Sequence, residues 1–361
     1  MMKTVTNDKM LKIDGSFGEG GGSILRLGAA FSILYNRAIN ITNIRANRAQ
    51  PGLRMQHLLG LRMLATITNS NLSKCEVGTT EITFMPNTES LKEISDISIS
   101  TAASIGLLLQ PIQIACLRYR QPEKLSITIN GGGTFGKWAP SLNYLNKVTY
   151  PIYERSGLSI NLDIKKYGFY PKGGAKTFCS INLPKKSLKP VILTEMGIIK
   201  KIQGEIIITT HLKRDGSNIG SRICNAINSE IKRKLGLETD VKIQYVDSLS
   251  PGVGLCLWTC SNNGSILSTG TILGEKKISS ETLGKTAAHI MINYIENEIP
   301  VDNYLSDQLI PLMAYVDGFS RIKVLEISSH TKTNIELIQL FTNRKYHIFK
   351  NENSFIIEFG S

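Results

Sequence analysis

Lys12-Ile13-Asp14-Gly15-Ser16-Phe17-Gly18-Glu19-Gly20-Gly21-Gly22-Ser23 leaves a short strand pattern, crosses five glycines within eight residues and enters a helical run that carries Arg26. A strand handed directly to a helix is the junction of an α/β unit, and the periodicity beyond it completes that unit. Strand 39–44, helix 53–68 and two short strands, around Cys75 and over 82–84, follow in turn. The same β-α-β-α-β-β order starts again at Ile97, with helix 102–116, strand 125–129, helix 140–154 and strands 158–164 and 176–181. The last third repeats it with helices 282–295 and 305–315, strand 322–327, helix 333–341 and strands 346–349 and 355–359. Between 187 and 277 lies a compact insertion: strand 205–210, helix 217–235, strand 241–245 and the strand pair 254–259 and 265–273. The expected class is α/β (α+β): a large domain of three pseudo-repeats, 1–186 plus 278–361, carrying a smaller α/β domain over 187–277. Whether the sheets or the helices lie outside is left open by the pattern.

Glycines let a backbone approach a ligand closely, and a helix N-terminus offers unpaired N–H groups to an anion. The first glycine loop therefore reads as a phosphate site, and Glu19 within it as a residue that holds a divalent cation beside the phosphates. A second cluster, Gly131-Gly132-Gly133-Thr134-Phe135-Gly136-Lys137, fits G-x-x-x-x-G-K between a strand and a helix. Trp138 follows where a P-loop needs a hydroxyl for Mg²⁺, which excludes a true P-loop ATPase and leaves a loop able to line a groove. A third cluster, Gly168-Phe169-Tyr170-Pro171-Lys172-Gly173-Gly174, joins two strands and either turns the chain or holds a phosphate. Arg45 and Arg48 flank a strand exit before Pro51, and guanidinium groups fork onto phosphate oxygens.

The chain has 361 residues and a net charge of +13, a field that draws polyanions and makes nucleic acid the first partner to expect. On the insertion, Arg222, Lys232, Arg233 and Lys234 share one helix, with His211, Lys213 and Arg214 in the loop before it; such a face either binds RNA or is merely solvated. Met1-Met2-Lys3-Thr4 lacks a signal-peptide pattern and no 18-residue apolar run occurs, so a cytoplasmic protein without membrane contact is expected. Cys75, Cys116, Cys179, Cys224, Cys256 and Cys260 are scattered and read as small hydrophobes; Cys256 and Cys260 lack a second ligand pair for zinc.

Ser328-Ser329-His330-Thr331-Lys332-Thr333-Asn334 sits between a strand and a helix, and neutral imidazole there is a competent nucleophile. A histidine packed beside a Thr333 or Asn334 helix cap is the alternative.

Five segments taken together resemble the RNA 3′-terminal phosphate cyclase family: D-G-x-x-G-E-G-G-G-x-I-L-R at 14–26, I-R-A-x-R-x-x-P-G-L at 44–53, G-F-Y-P-x-G-G at 168–174, Y-L-x-D-Q-L at 304–309 and H-x-x-T-N at 330–334. The resemblance implies ATP-dependent conversion of an RNA 3′-phosphate to a 2′,3′-cyclic phosphodiester through a covalent histidine–AMP intermediate. It implies His330 as the adenylated nucleophile and Glu19 as the acidic residue near a metal, Mg²⁺ or Mn²⁺. Arg26, Arg45 and Arg48, with Gln56 beside them, match phosphate- and RNA-binding positions. Gln110, Tyr304, Leu305, Ser306, Asp307 and Gln308 match the ATP-binding segment. Departures are Ser100-Thr101-Ala102-Ala103-Ser104 in place of a glycine-containing turn, Ala175 for a third glycine and a proline shifted to Pro311. Two rivals are a non-catalytic RNA- and ribosome-biogenesis protein of the same fold, which lacks the histidine, and an RNA-stimulated ATPase using Lys137.

Overall fold

The computed structural model describes residues 10–18, 20–92, 96–213 and 218–360. The first repeat runs β1 (Leu11–Asp14), α1 (Gly22–Leu34), β2 (Ile39–Thr42), α2 (Met55–Thr68), β3 (Asn71–Leu72) and β4 (Ile82–Met85). The second is β5 (Asp96–Ser104), α3 (Ile105–Cys116), β6 (Lys124–Gly133), a composite helix, β7 (Ser159–Lys166) and β8 (Lys176–Asn182). That composite helix joins α4 (Leu142–Tyr144) through a π turn, Leu145–Thr149, to α5 (Tyr150–Ser156). The third repeat opens with β9 (Ile192–Leu193) and is then interrupted. The insertion supplies β10 (Lys201–Thr209), α6 (Ile219–Leu235), β11 (Glu238–Val246), β12 (Val253–Cys260), β13 (Ile266–Ser268), β14 (Ile272–Leu273) and α7 (Ser280–Glu296). The repeat resumes as α8 (Asn303–Tyr315), β15 (Ser320–Val324), α9 (Ser329–Gln339), β16 (Tyr346–Asn351) and β17 (Ser354–Phe359).

All three repeat sheets share one topology: β1-β2-β4-β3, β5-β6-β8-β7 and β9-β15-β17-β16. In each, the first two strands are parallel and the others antiparallel. A parallel pair needs a crossover, which the first helix of each repeat provides, whereas the last pair closes as a hairpin. α1 is buried continuously from Ile24 to Leu34, and α3 is buried over nearly all its length. Helices apolar on all sides belong in the centre, so α1, α2, α3, α8 and α9 pack together and the sheets lie outside.

Two expectations about the insertion change. β9 pairs in parallel with β15, so residues 192–193 belong to the third repeat and not to the 187–277 block. Helix 282–295, expected in the third repeat, is α7, and it packs on α6 in the insertion's own core. Ala287, Ala288 and Met291 meet Ile223, Ile227 and Ile231 there, and a methyl group at Gly284 would lie 2.5 Å from Ile223 O. The apolar period of α7 is the same wherever it docks; the small stripe that admits α6 decides the partner. The other face of the inserted sheet, through Cys256, Trp258 and Ile266, joins the large core. Arg214, within the basic loop expected before α6, lies outside the described residues.

Candidate active site

A cavity of about 400 Å³ opens where the first turns of α1, α3, α8 and α9 converge. Its lining includes Ser23, Arg26 and Leu27 from α1, Leu107 and Gln110 from α3, Tyr304, Asp307 and Gln308 from α8, and His330 and Asn334 from α9. Residues 136–140 with Tyr144, and residues 270–273 with Glu275 from the insertion, close the other sides. Helix N-termini carry partial positive charge and unpaired N–H groups, so their convergence favours an anion.

Arg26 adds a full charge. It is buried, and burial pulls its guanidinium down to about 10, which leaves it charged near neutrality. Its Nε donates to Gln110 Oε1 at 3.4 Å. Among the described residues no carboxylate forms an ion pair with it, and a buried cation in that position is costly until an anionic ligand supplies the countercharge. Behind it sits His57, whose Nδ1 accepts from Arg54 N at 3.2 Å. Burial first, then the charges of Arg26, Arg45 and Arg54, push this imidazole down to about 4, so it is neutral. Arg45 in turn feels Arg48 and Arg54. Arg45, Arg48 and Arg54 thus form a basic cluster beside His57, and neither Arg45, Arg48 nor the half-buried Gln56 lines the cavity.

The two ends of the chain meet here. A methyl group at Gly18, in the first glycine loop, would lie 2.6 Å from Thr333 Oγ1, one turn along α9 from His330. His330 is exposed at the second position of α9, beyond the N-cap Ser328, whose Oγ accepts from Thr331 N at 2.9 Å. The helix therefore starts four residues before the expected Thr333, and His330 stands in its first turn rather than in a loop. Asp307 ties α8 to α9: its Oδ1 accepts from Ser328 Oγ at 2.8 Å and from Thr331 Oγ1, and its carbonyl accepts from Asn334 Nδ2 at 3.1 Å. Asn334 Oδ1 is buried without a hydrogen-bond partner among the described residues, an acceptor beside the cavity available to a ligand donor.

Tyr304 is half exposed at 52%, its ring packed against Gly270 and edge-on to Tyr144 at 6.3 Å. Asp302 caps α8 and accepts from Tyr304 N, Leu305 N and Ser268 N and from the Tyr144 hydroxyl. Burial nevertheless raises its carboxyl to about 7.

Of the expected residues, the structure gathers Arg26, Gln110, Tyr304, Asp307, Gln308 and His330 in one cavity. Leu305 and Ser306 do not line it: both are fully buried, and the Ser306 hydroxyl bonds Asn303 O and Thr331 Oγ1. Glu19 lies outside the described residues, and among those described no group of three His, Cys, Asp or Glu is placed to hold a metal ion. The G-x-x-x-x-G-K loop does line the groove, with Lys137 in an ion pair with Glu275 at 3.0 Å. Arg54, His57 and the 270–275 segment were not singled out in the sequence, and Asn334, read there only as a helix cap, lines the cavity instead while Ser328 caps the helix.

The model of the RNA 3′-terminal phosphate cyclase family matches residues 17–348. Among curated relatives bearing that name, the Pyrobaculum aerophilum protein is 35% identical over 349 residues, 96% of this chain and 97% of its own length. The Methanosarcina barkeri protein is 38% identical over 346 residues, 96% and 98% of the respective lengths. With the repeat topology and the match both running nearly end to end, the chain belongs to the RNA 3′-terminal phosphate cyclase family.

Proposed function

We propose that this chain uses ATP to convert an RNA 3′-terminal phosphate into a 2′,3′-cyclic phosphodiester, with His330 carrying AMP between the two. A ring nitrogen of His330 attacks the α-phosphorus, forming a P–N bond as pyrophosphate leaves. An oxygen of the RNA 3′-phosphate then attacks the same phosphorus, the P–N bond breaks, and the RNA end bears an activated anhydride. The neighbouring 2′-hydroxyl displaces AMP and closes the ring, an intramolecular attack helped by proximity. The observation that carries this reading is the exposed His330 facing the same cavity as the buried Arg26.

Charge grows on phosphoryl oxygens in each transfer, and preorganised cations and helix N-termini stabilise it without reorganising. Arg26 and the Arg45, Arg48 and Arg54 cluster suit that work. Leu27, Leu107, Pro140, Ile272 and Leu273 with the Tyr304 ring form an apolar wall suited to a nucleobase, and Gln110, Asp307 and Gln308 supply polar groups to orient it. Leu305 and Ser306 support that wall from behind. Glu19 is the proposed carboxylate for a divalent cation, Mg²⁺ or Mn²⁺, accompanying the triphosphate. RNA 3′-phosphate ends and ATP are the proposed partners, in the cytoplasm; no described helix is long and apolar enough to cross a membrane.

Incubation with ATP labelled at the α-phosphorus tests the reading. Wild type should become covalently labelled, His330→Ala should lose the label while keeping its melting temperature, and EDTA should suppress labelling. Label retained by the alanine variant, or release of ADP in place of AMP and pyrophosphate, overturns the assignment.

A further inference from the structure

Two side chains break the rule that large aromatics are buried. Trp138 is 89% exposed and Tyr170 is 81% exposed, the highest values among large hydrophobic residues of the described chain. Burying such a ring stabilises a fold by about 2 kcal/mol or more, so leaving two in water at loop tips points to an external contact.

The two loops are built alike and fastened together. Each buries a phenylalanine, Phe135 and Phe169, and these stack on each other at 5.2 Å and 5° between planes. Each then presents an exposed aromatic beside a lysine: Lys137-Trp138 and Tyr170-Pro171-Lys172. Thr134 N donates to Gly168 O at 2.9 Å and Ala175 N to Gly132 O at 3.2 Å, so the tips share one rigid base. Lys172 N donates to Ser250 Oγ at 3.1 Å, anchoring the second loop to the insertion. Trp138 has φ +59, a conformation that costs a non-glycine residue energy and persists where the surroundings impose it. Lys137 Nζ lies 5.1 Å from its ring centroid. Trp138 also stands at the mouth of the cavity that contains His330.

Exposed aromatic faces interleaved with lysines are what single-stranded nucleic acid requires, since every base offers a π face and every linkage a negative charge. We propose that Trp138 and Tyr170 form a stacking platform for the bases at the 3′ end of a single-stranded RNA, holding the strand while its terminal phosphate enters the cavity. The proposal rests on the function proposed above and adds to it where the strand runs. A strand held this way is recognised by its bases without regard to their sequence.

The chain has two tryptophans, and Trp258 is buried, so a change in emission on strand binding reports Trp138. Without ATP, a 3′-phosphorylated oligoribonucleotide should quench wild-type emission and bind roughly tenfold or more tighter than the same strand with its last two nucleotides abasic. Tyr170→Ala should lose a similar factor for the intact strand and nothing for the abasic one; Tyr170→Phe should behave as wild type. Equal affinities of wild type for the two strands, or equal weakening of both by Tyr170→Ala, overturns the platform. So does quenching produced in full by ATP alone, which assigns the indole to the nucleotide. Failure of wild type to be labelled by ATP overturns the proposed function by a separate readout.

Discussion

At the scale of single residues, the site is a contest between burial and charge. His57 shows the outcome: packed against Gly22, accepting from Arg54 N and surrounded by Arg26, Arg45 and Arg54, it cannot take a proton cheaply in the folded state. Its value falls from 6.5 to about 4, so the unfolded chain binds a proton in that window that the folded chain refuses. The stability this confers is fully present above 6.5 and is lost as the pH falls through about 4, a contribution of roughly 3 kcal/mol. Denaturant titrations at pH 7.5 and 4.5 should show wild type losing more stability on acidification than His57→Gln; equal losses would show that His57 titrates normally. Neither His57 nor Arg54 was picked out beforehand: Arg45 and Arg54 lie close to His57 in sequence, but its burial and its approach to Arg26 are set by the packing of α2 on α1 and have no local signature. Leu305 and Ser306 are the opposite case. Helical spacing places 304, 307 and 308 on one face and turns 305 and 306 away, so their exclusion from the cavity was readable in the numbering alone.

At the scale of elements, what matters is where α9 begins. The sequence offers hydroxyls at Ser328, Ser329, Thr331 and Thr333, any of which suits an N-cap, and local pattern cannot choose among them. The choice is made by Asp307 on α8, which accepts from the Ser328 hydroxyl while that same oxygen accepts from Thr331 N. The cap thereby fixes the helix and sets His330 in its first turn. Ser328→Ala should cost about 1–2 kcal/mol in a urea melt, from the lost cap and the disturbed carboxylate. It should also slow covalent labelling by ATP, whereas Ser328→Thr, which keeps the hydroxyl, should restore most of the rate. Labelling by the alanine variant at the wild-type rate would show that the cap does not hold the histidine. Helix α7 carries the same lesson at larger spacing: its amphipathic period was legible, its partner α6 was not, because both candidate docking sites present apolar surface.

At the scale of the whole molecule, the threefold β-α-β-α-β-β order was legible because hydrophobic period changes at every junction, while the inward position of the helices follows from α1 and α3 being apolar all round. The meeting of the first glycine loop with α9 has no local signature; it is a product of three repeats closing on one another. What the net charge of +13 does is likewise decided by placement. On the insertion, Arg222 is matched by Glu281 at 2.6 Å, and Arg233 pairs with Glu230, so the basic helix spends much of its field locally. Beside the cavity Arg45 is lowered by burial first and then by the charges of Arg48 and Arg54. Only cations whose charge is not already met release counterions when a polyanion arrives. The salt dependence of oligoribonucleotide binding should therefore separate the two faces: Arg54→Ala should reduce the slope of log K against log salt by about 0.7, the value for one contact to a single strand. Arg222→Ala should leave that slope unchanged. A slope that falls with Arg222→Ala and not with Arg54→Ala would move the RNA path onto the insertion and away from the arginines beside His330.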